Sequence, residues 1–168
     1  MITSKIGLVL VICFWALVIW YFVSDAIRRR RDAKKDAVER KAIEERLLRP
    51  DWEFYERHLQ RPAPAALREL YADRALVTTC GLAYGKGDAI STFNPLDEEG
   101  LLDTRDLVGS DVVPFATSDC GDPIYLRPGA AESDRVYIAY HDDPGSSEVL
   151  AESVAVMLER LRKANRAA

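Results

Sequence analysis

From Ile6 to Val23 the chain runs for eighteen residues without a charge, then changes within a few positions to Arg28-Arg29-Arg30-Arg31 and Lys34-Lys35. At about 1.5 Å rise per residue, a helix of that length reaches about 27 Å, close to the hydrocarbon thickness of a bilayer. Trp20, Tyr21 and Phe22 close the run, where amphipathic rings favour the headgroup zone. The pattern predicts a single membrane-spanning helix at 6–23. A cleaved leader fits poorly, because the basic block follows the apolar run and Val23-Ser24-Asp25 has no small-x-small character. Cys13 follows Ile12 in mid-span, which does not suit a lipoprotein signal. Only Lys5 and the α-amino group precede the run, whereas six Arg/Lys follow it closely. The positive-inside rule therefore predicts an inner-membrane, single-pass protein with its N-terminus out and its C-terminal part cytoplasmic.

Beyond the run, residues 24–49 are rich in Ala, Arg, Lys and Glu and lack Gly and Pro up to Arg49, which predicts a charged helical stalk. Ala33, Ala37, Val38, Ala42, Ile43, Leu47 and Leu48 form a partial stripe, short of the sustained heptads of a coiled coil. Pairing with a second copy is left open by that pattern.

Pro50 and Asp51 end the stalk and open a head at 50–165. Asp51 is positioned to cap a short helix through His58 and Leu59. Pro62 and Pro64 lead another, with Leu67, Leu70 and Tyr71 on its buried face. Gly81, Gly85 and Gly87 punctuate two expected strands, Ala75–Cys80 and Asp88–Phe93. Residues 94–111 read as an acidic, irregular connection holding a helical turn. Val112–Thr117, Pro123–Leu126 and Arg135–Tyr140 read as strands of an antiparallel meander. Ser146 or Ser147 is expected to cap a closing helix through Lys163, with Leu150, Val154, Met157, Leu158 and Leu161 facing the core. The fold class is α+β, an antiparallel sheet flanked by helices and preceded by a transmembrane helix and a helical stalk.

Charge divides the chain. Residues 28–49 hold ten Arg/Lys against five Asp/Glu, while residues 50–168 hold twelve against twenty-one. The stalk suits an anionic leaflet through Arg28, Arg29, Arg30 and Arg31. An acidic head argues against nucleic-acid binding and suits a basic protein partner. Candidate protein contacts are Asp97, Glu98, Glu99, Asp103 and Asp106 in the acidic connection, and Glu132 and Asp134 in a later turn.

Catalytic constellations are weak. His141-Asp142-Asp143 precedes Pro144-Gly145 and reads as a solvated turn. His58 has no partner near it in sequence. Asp119 and Asp122 flank Cys120 without an identified base histidine. Cys80 and Cys120 read as small core residues. The spacing of Gly81, Gly85 and Gly87 lacks the Gly-Lys-Ser/Thr ending of a phosphate loop. No catalytic residue, metal site or cofactor is expected.

The stretch VVPFATSDCGDPIYLRPG, followed by RVYIAYHDDPGSSEVLAESVAVMLERL, resembles the C-terminal half of the SUKH superfamily. Val113, Phe115 and Ala116 match that family's first strand of this half, Gly121 and Asp122 its turn, Ile124 and Tyr125 the next strand, Val136 and Tyr137 the one after, and His141-Asp142 its end. RPAPAALRELYAD resembles its proline-led helix, while CGLAYGKG departs from the usual turn and the middle segment has no clear counterpart. The resemblance covers about Trp52 to Leu161. It implies structural roles for Phe115, Gly121, Asp122, Tyr125 and Tyr137. It also implies a non-catalytic protein-binding module, either an immunity protein that neutralises a toxin domain such as a nuclease, or an adaptor in envelope or cell-wall synthesis control. Core packing independently accounts for Phe115, Tyr125, Tyr137 and Tyr140, whose rings would alternate onto the sheet faces.

Overall fold

A computed structural model describes residues 2–79, 81–83, 89–102, 112–129, 134–143 and 145–167, with side chains from Trp20 to 164 within those ranges. The chain forms two compact units, Met1–Ala42 and Ile43–Ala168.

The first unit lies within helix α1 (Ile2–Leu47). Most of the predicted span at 6–23 has its side chains outside the described residues. Among the described residues, no helix is long and apolar enough to cross a membrane. Trp20, Tyr21, Phe22 and Val23 are exposed at 69%, 66%, 65% and 51%.

The second unit begins with the last turn of α1. Leu47 is buried in the head's core, so it belongs to this fold rather than to a stalk stripe. Helix α2 (Trp52–Leu59) starts where predicted: the Asp51 carboxylate accepts the Phe54 N–H at 2.9 Å. Its C-cap, Gln60, has φ of 58°, the left-handed conformation that stops a helix. In α3 (Ala65–Ala72), Pro64 stands at the N-cap, and Leu67, Leu70 and Tyr71 are buried.

The segment Ala75–Cys80 departs from expectation. It does not supply a strand; residues Arg74–Val77 form the short helix α4, and Cys80 is outside the described residues. The cause is local. Asp73 accepts the Leu76 N–H at 3.2 Å, and the Thr78 and Thr79 hydroxyls donate back to the Arg74 and Ala75 carbonyls at 2.8 and 2.5 Å. These side-chain bonds satisfy the helical turn while Leu76 and Val77 enter the core.

Strands β1 (Leu82–Ala83), β2 (Ala89–Phe93), β3 (Val113–Ser118), β4 (Pro123–Leu126), β5 (Val136–Ala139) and β6 (Ser147–Ala151) form a curled six-stranded antiparallel sheet in sequential order. Helix α5 (Val154–Ala167) closes the fold and packs on α3, β1 and β6. The α+β class and antiparallel meander match the sequence expectation. The closing segment does not: Ser147–Ala151 is a strand, paired to β5 through Tyr137 opposite Val149 and Ala139 opposite Ser147. The helix waits for Ser153, whose hydroxyl accepts the Val156 N–H at 3.2 Å. Serine at 146, 147 and 153 offers three caps, and the free edge of β5 selects the last by pairing with the intervening residues. Leu150 consequently packs at the core margin, whereas Val154, Met157, Leu158 and Leu161 occupy the core as expected.

The main core joins α2, α3 and α5 to one face of the sheet through Phe93, Val113, Phe115, Ile124, Leu126, Val136 and Ile138. The Tyr71 hydroxyl lies 2.6 Å from the Asn94 carbonyl and 2.8 Å from that of Phe115, so one proton serves two acceptors at the junction of β2 and β3. Tyr125 and Tyr137 lie in a second cluster with Val112, their rings stacked with centroids 5.7 Å apart. Tyr140 is exposed at 36%, because it follows β5 where the strand has left the core.

Candidate functional site

The turn between β3 and β4 gathers a cluster of polar side chains. Gly121 has φ of +88°, and its N–H donates to the Ser118 carbonyl at 3.1 Å, closing a turn that an L side chain would strain. That turn exposes Cys120, which is a surface thiol and not the core residue expected. Asp122 follows, buried at 5%. Its Oδ1 accepts both the backbone N–H of His141 at 3.0 Å and the ring Nδ1–H at 2.7 Å. The Ser118 hydroxyl donates to Oδ2 at 3.3 Å and accepts the N–H groups of Asp122 and Cys120 at 3.0 and 3.2 Å.

His141 is therefore more than a solvated turn residue. Nineteen positions separate it from Asp122, too far for sequence spacing to link them, and the antiparallel pairing of β4 with β5 brings them together. Its Nε2 faces the Asp142 carboxylate at 3.0 Å. Two carboxylates around one imidazole favour the imidazolium: the hydrogen bond to Asp122 and the charge of Asp142 hold His141 above its ordinary value. For Asp122, desolvation acts upward, but the hydrogen bonds from the His141 backbone and ring outweigh it and leave the carboxyl below its ordinary value.

Chemically, this arrangement is a clamp. Nucleophilic catalysis of the serine–histidine type places the imidazole between hydroxyl and carboxylate. Here the carboxylate lies between hydroxyl and imidazole, so the Ser118 hydroxyl is bonded to Asp122 and not to the His141 ring. Among the described residues, no group of three or more His, Cys, Asp or Glu side chains could hold a metal ion. His58 spends its Nδ1–H on the Phe54 carbonyl one turn back, at 3.0 Å.

The acidic residues expected to meet a partner fall into two kinds. Asp97 is bidentate with Arg46 at 2.6 and 2.8 Å, and Glu99 reaches the same guanidinium at 2.9 Å. The Arg46 hydrogen bond is the main cause that holds the Asp97 carboxyl below its ordinary value, although burial opposes it. Asp134 pairs with Arg61 at 2.6 Å, and its carbonyl accepts the first N–H of α5. These carboxylates already hold the head together. Glu98 is exposed and forms no ion pair among the described residues. Asp103, Asp106 and Glu132 lie outside the described residues.

Two other surfaces stand out. A shallow groove of about 560 Å³ between α3 and α5 is lined by Ala66, Glu69, Ala155, Leu158, Glu159, Arg162 and Lys163, and its charges largely offset one another, with Arg162 on Glu69 at 2.7 Å. At the sheet margin, Tyr140 and Val149 are exposed, and the Tyr140 hydroxyl donates to Glu148 at 3.2 Å. Sequence reading missed this pair because it assigned Glu148 and Val149 to a helix; the alternation of Ser147, Val149 and Ala151 was the available strand signal. Comparison of the chain with protein-family models, curated proteins and solved structures finds no match.

Proposed function

We propose that the protein is a membrane-tethered binding module whose head recognises another protein. In this reading, residues 6–23 span the inner membrane with the N-terminus outside, and the stalk and head lie on the cytoplasmic side. The observation that carries it is the continuity of one helix: the uncharged run, the Arg28–Arg31 block and the buried Leu47 all lie within Ile2–Leu47. An apolar terminus followed by a basic block and then a folded head is the organisation of a tethered domain.

The head's excess of carboxylates supports a basic partner. Its element order supports a SUKH-like reading: a proline-led helix, antiparallel strands with a Gly-Asp turn between β3 and β4, and a closing helix. On that basis the protein acts as an immunity protein that neutralises a toxin domain. The Asp122–His141 clamp gives Asp122 a structural role consistent with it.

The test is alkaline extraction of one membrane sample and, from a second untreated sample, capture of the tagged full-length protein after detergent solubilisation. The expected result is a chain that resists extraction and retains a stoichiometric partner carrying a basic toxin-like domain. Release by alkali overturns the tether. Recovery of envelope-synthesis proteins in place of a toxin replaces immunity with the adaptor role.

A further inference from the structure

Helical periodicity sorts the charges of residues 20–36 within the first unit. At about 100° per residue, Trp20, Ile27, Arg28, Arg31, Lys34 and Lys35 fall in one sector about 120° wide. Ile27, Arg28, Arg31 and Lys35 line one shallow surface depression together with Ser24 and Asp32. The acids Asp25, Asp32 and Asp36 fall in a narrower sector centred about 120° away. Arg29 adjoins that acidic sector and is held by Asp25 at 2.8 Å. The cations of the stripe are exposed and have no ion pair among the described residues. In the head, by contrast, Arg46, Arg61, Arg68, Arg74 and Arg162 each face a carboxylate within 3 Å.

We infer that this stripe binds the headgroup phosphates of an anionic bilayer, with Trp20 at its membrane end. The inference rests on the membrane-tethered reading above. Trp20 and Ile27, exposed at 69% and 50%, put apolar area on the same side as the cations, a combination that suits a lipid interface better than an acidic protein surface. Cα–Cβ bonds tilt toward a helix's N-terminus, so the basic side chains lean back toward the apolar run. Arg28 lies about 8 Å along the axis from Val23 and Lys35 about 18 Å. A helix tilted by about 20° toward its basic side shortens those heights, and long side chains with an ionic reach of about 8 Å cover the remainder. Asp25, Asp32 and Asp36 then lie on the flank of the helix, outside the sector that holds the cations. Segregation by face, more than net charge, makes the stalk a lipid-binding surface.

The full-length protein is first incorporated into phosphatidylcholine discs, then into mixed phosphatidylcholine–phosphatidylglycerol discs, and the lipids retained on release into mild detergent are identified by native mass spectrometry. Wild type retains phosphatidylglycerol in preference to phosphatidylcholine. Replacing three of the four stripe cations by Arg28→Gln, Arg31→Gln and Lys35→Gln lowers that preference by about 100-fold, at roughly fivefold per cation. The charge-matched variant Arg29→Gln, Arg40→Gln and Lys41→Gln keeps it: Arg29 belongs to the basic block in sequence but turns to Asp25 and not to the stripe, and Arg40 and Lys41 also lie off it. Equal losses in both variants, or no preference in wild type, overturn the stripe. A wild-type dimer that dissociates only in the stripe variant assigns the face to a second copy and also overturns it. Failure to enter neutral discs overturns the tether and the stripe together, whereas normal entry without anionic preference overturns the stripe alone.

Discussion

The carboxylate of Asp122 holds His141 at two points, backbone N–H and ring Nδ1–H, at 3.0 and 2.7 Å. One buried acid thereby fixes the end of β5 against the β3–β4 turn and selects the charged form of an exposed imidazole.

A pH dependence follows with a definite sign. His141 is raised above its ordinary 6.5, so its contribution is complete below 6.5 and is lost as pH rises through the folded value. Asp122 is lowered below 3.8, so its contribution is present above 3.8 and is lost as pH falls through the folded value. The clamp is strongest between those limits. Thermal unfolding of the full chain in detergent will show His141→Gln lowering the midpoint at pH 5.5 and narrowing that gap at pH 8.5. An equal gap at both values would remove the charged form from the account. NMR titration of the His141 ring reads the raised value directly.

Arg46 and Asp97 couple the last turn of α1 to the loop after β2. Both side chains are about 30% exposed and the pair is bidentate, so a double-mutant cycle with Arg46→Ala and Asp97→Ala should return a coupling of about 1 kcal/mol. Asp97 is lowered, so the coupling holds above its ordinary 3.8 and vanishes as pH falls through the folded value. Denaturant titrations of the four proteins measure it; strict additivity would make the contact energetically idle.

The paired and exposed acids should separate stability from recognition. Asp134→Asn removes the carboxylate charge facing Arg61, whose side chain is only 11% exposed, and should destabilise the head by about 2 kcal/mol. Glu98→Lys should leave stability within about 0.5 kcal/mol while weakening association with a basic partner and reducing its salt dependence. Melting curves and binding titrations on the same two variants make the comparison. Partner affinity insensitive to Glu98→Lys would move the contact elsewhere.

Gly100 marks a close approach. A Cβ there would overlap the Pro95 carbonyl oxygen, and the Gly100 N–H donates to Asp97 at 2.9 Å. Gly100 lies in a short helical turn at 98–102, and Gly100→Ala should cost about 1–3 kcal/mol through forced backbone displacement, whereas helix propensity alone would make the same change favourable. Its unfolding midpoint in denaturant decides between the two signs.

Local chemistry made much of the head legible. The Asp51 cap, the Leu67–Leu70–Tyr71 face, the turn at Gly121 and the apolar face of α5 depend on neighbours within a turn or two. The errors arose where local preferences were balanced. Ala75–Cys80 suited a strand by composition until the Asp73 cap and the threonine back-bonds closed a helical turn. Ser146 and Ser147 resembled helix caps, but the open edge of β5 took the following residues as a strand.

By itself, the amino-acid sequence determined the uncharged run, the basic block after it, the acidic balance of the head and the α+β succession, because composition and short-range periodicity are properties of the chain. Only the tertiary structure decided that Asp122 meets His141, that Asp97 and Asp134 are engaged by Arg46 and Arg61, and that Tyr125 and Tyr137 lie apart from the Phe115 core. Those relationships join residues far apart in sequence, and strand register and helix packing, rather than any local preference, set the distances between them.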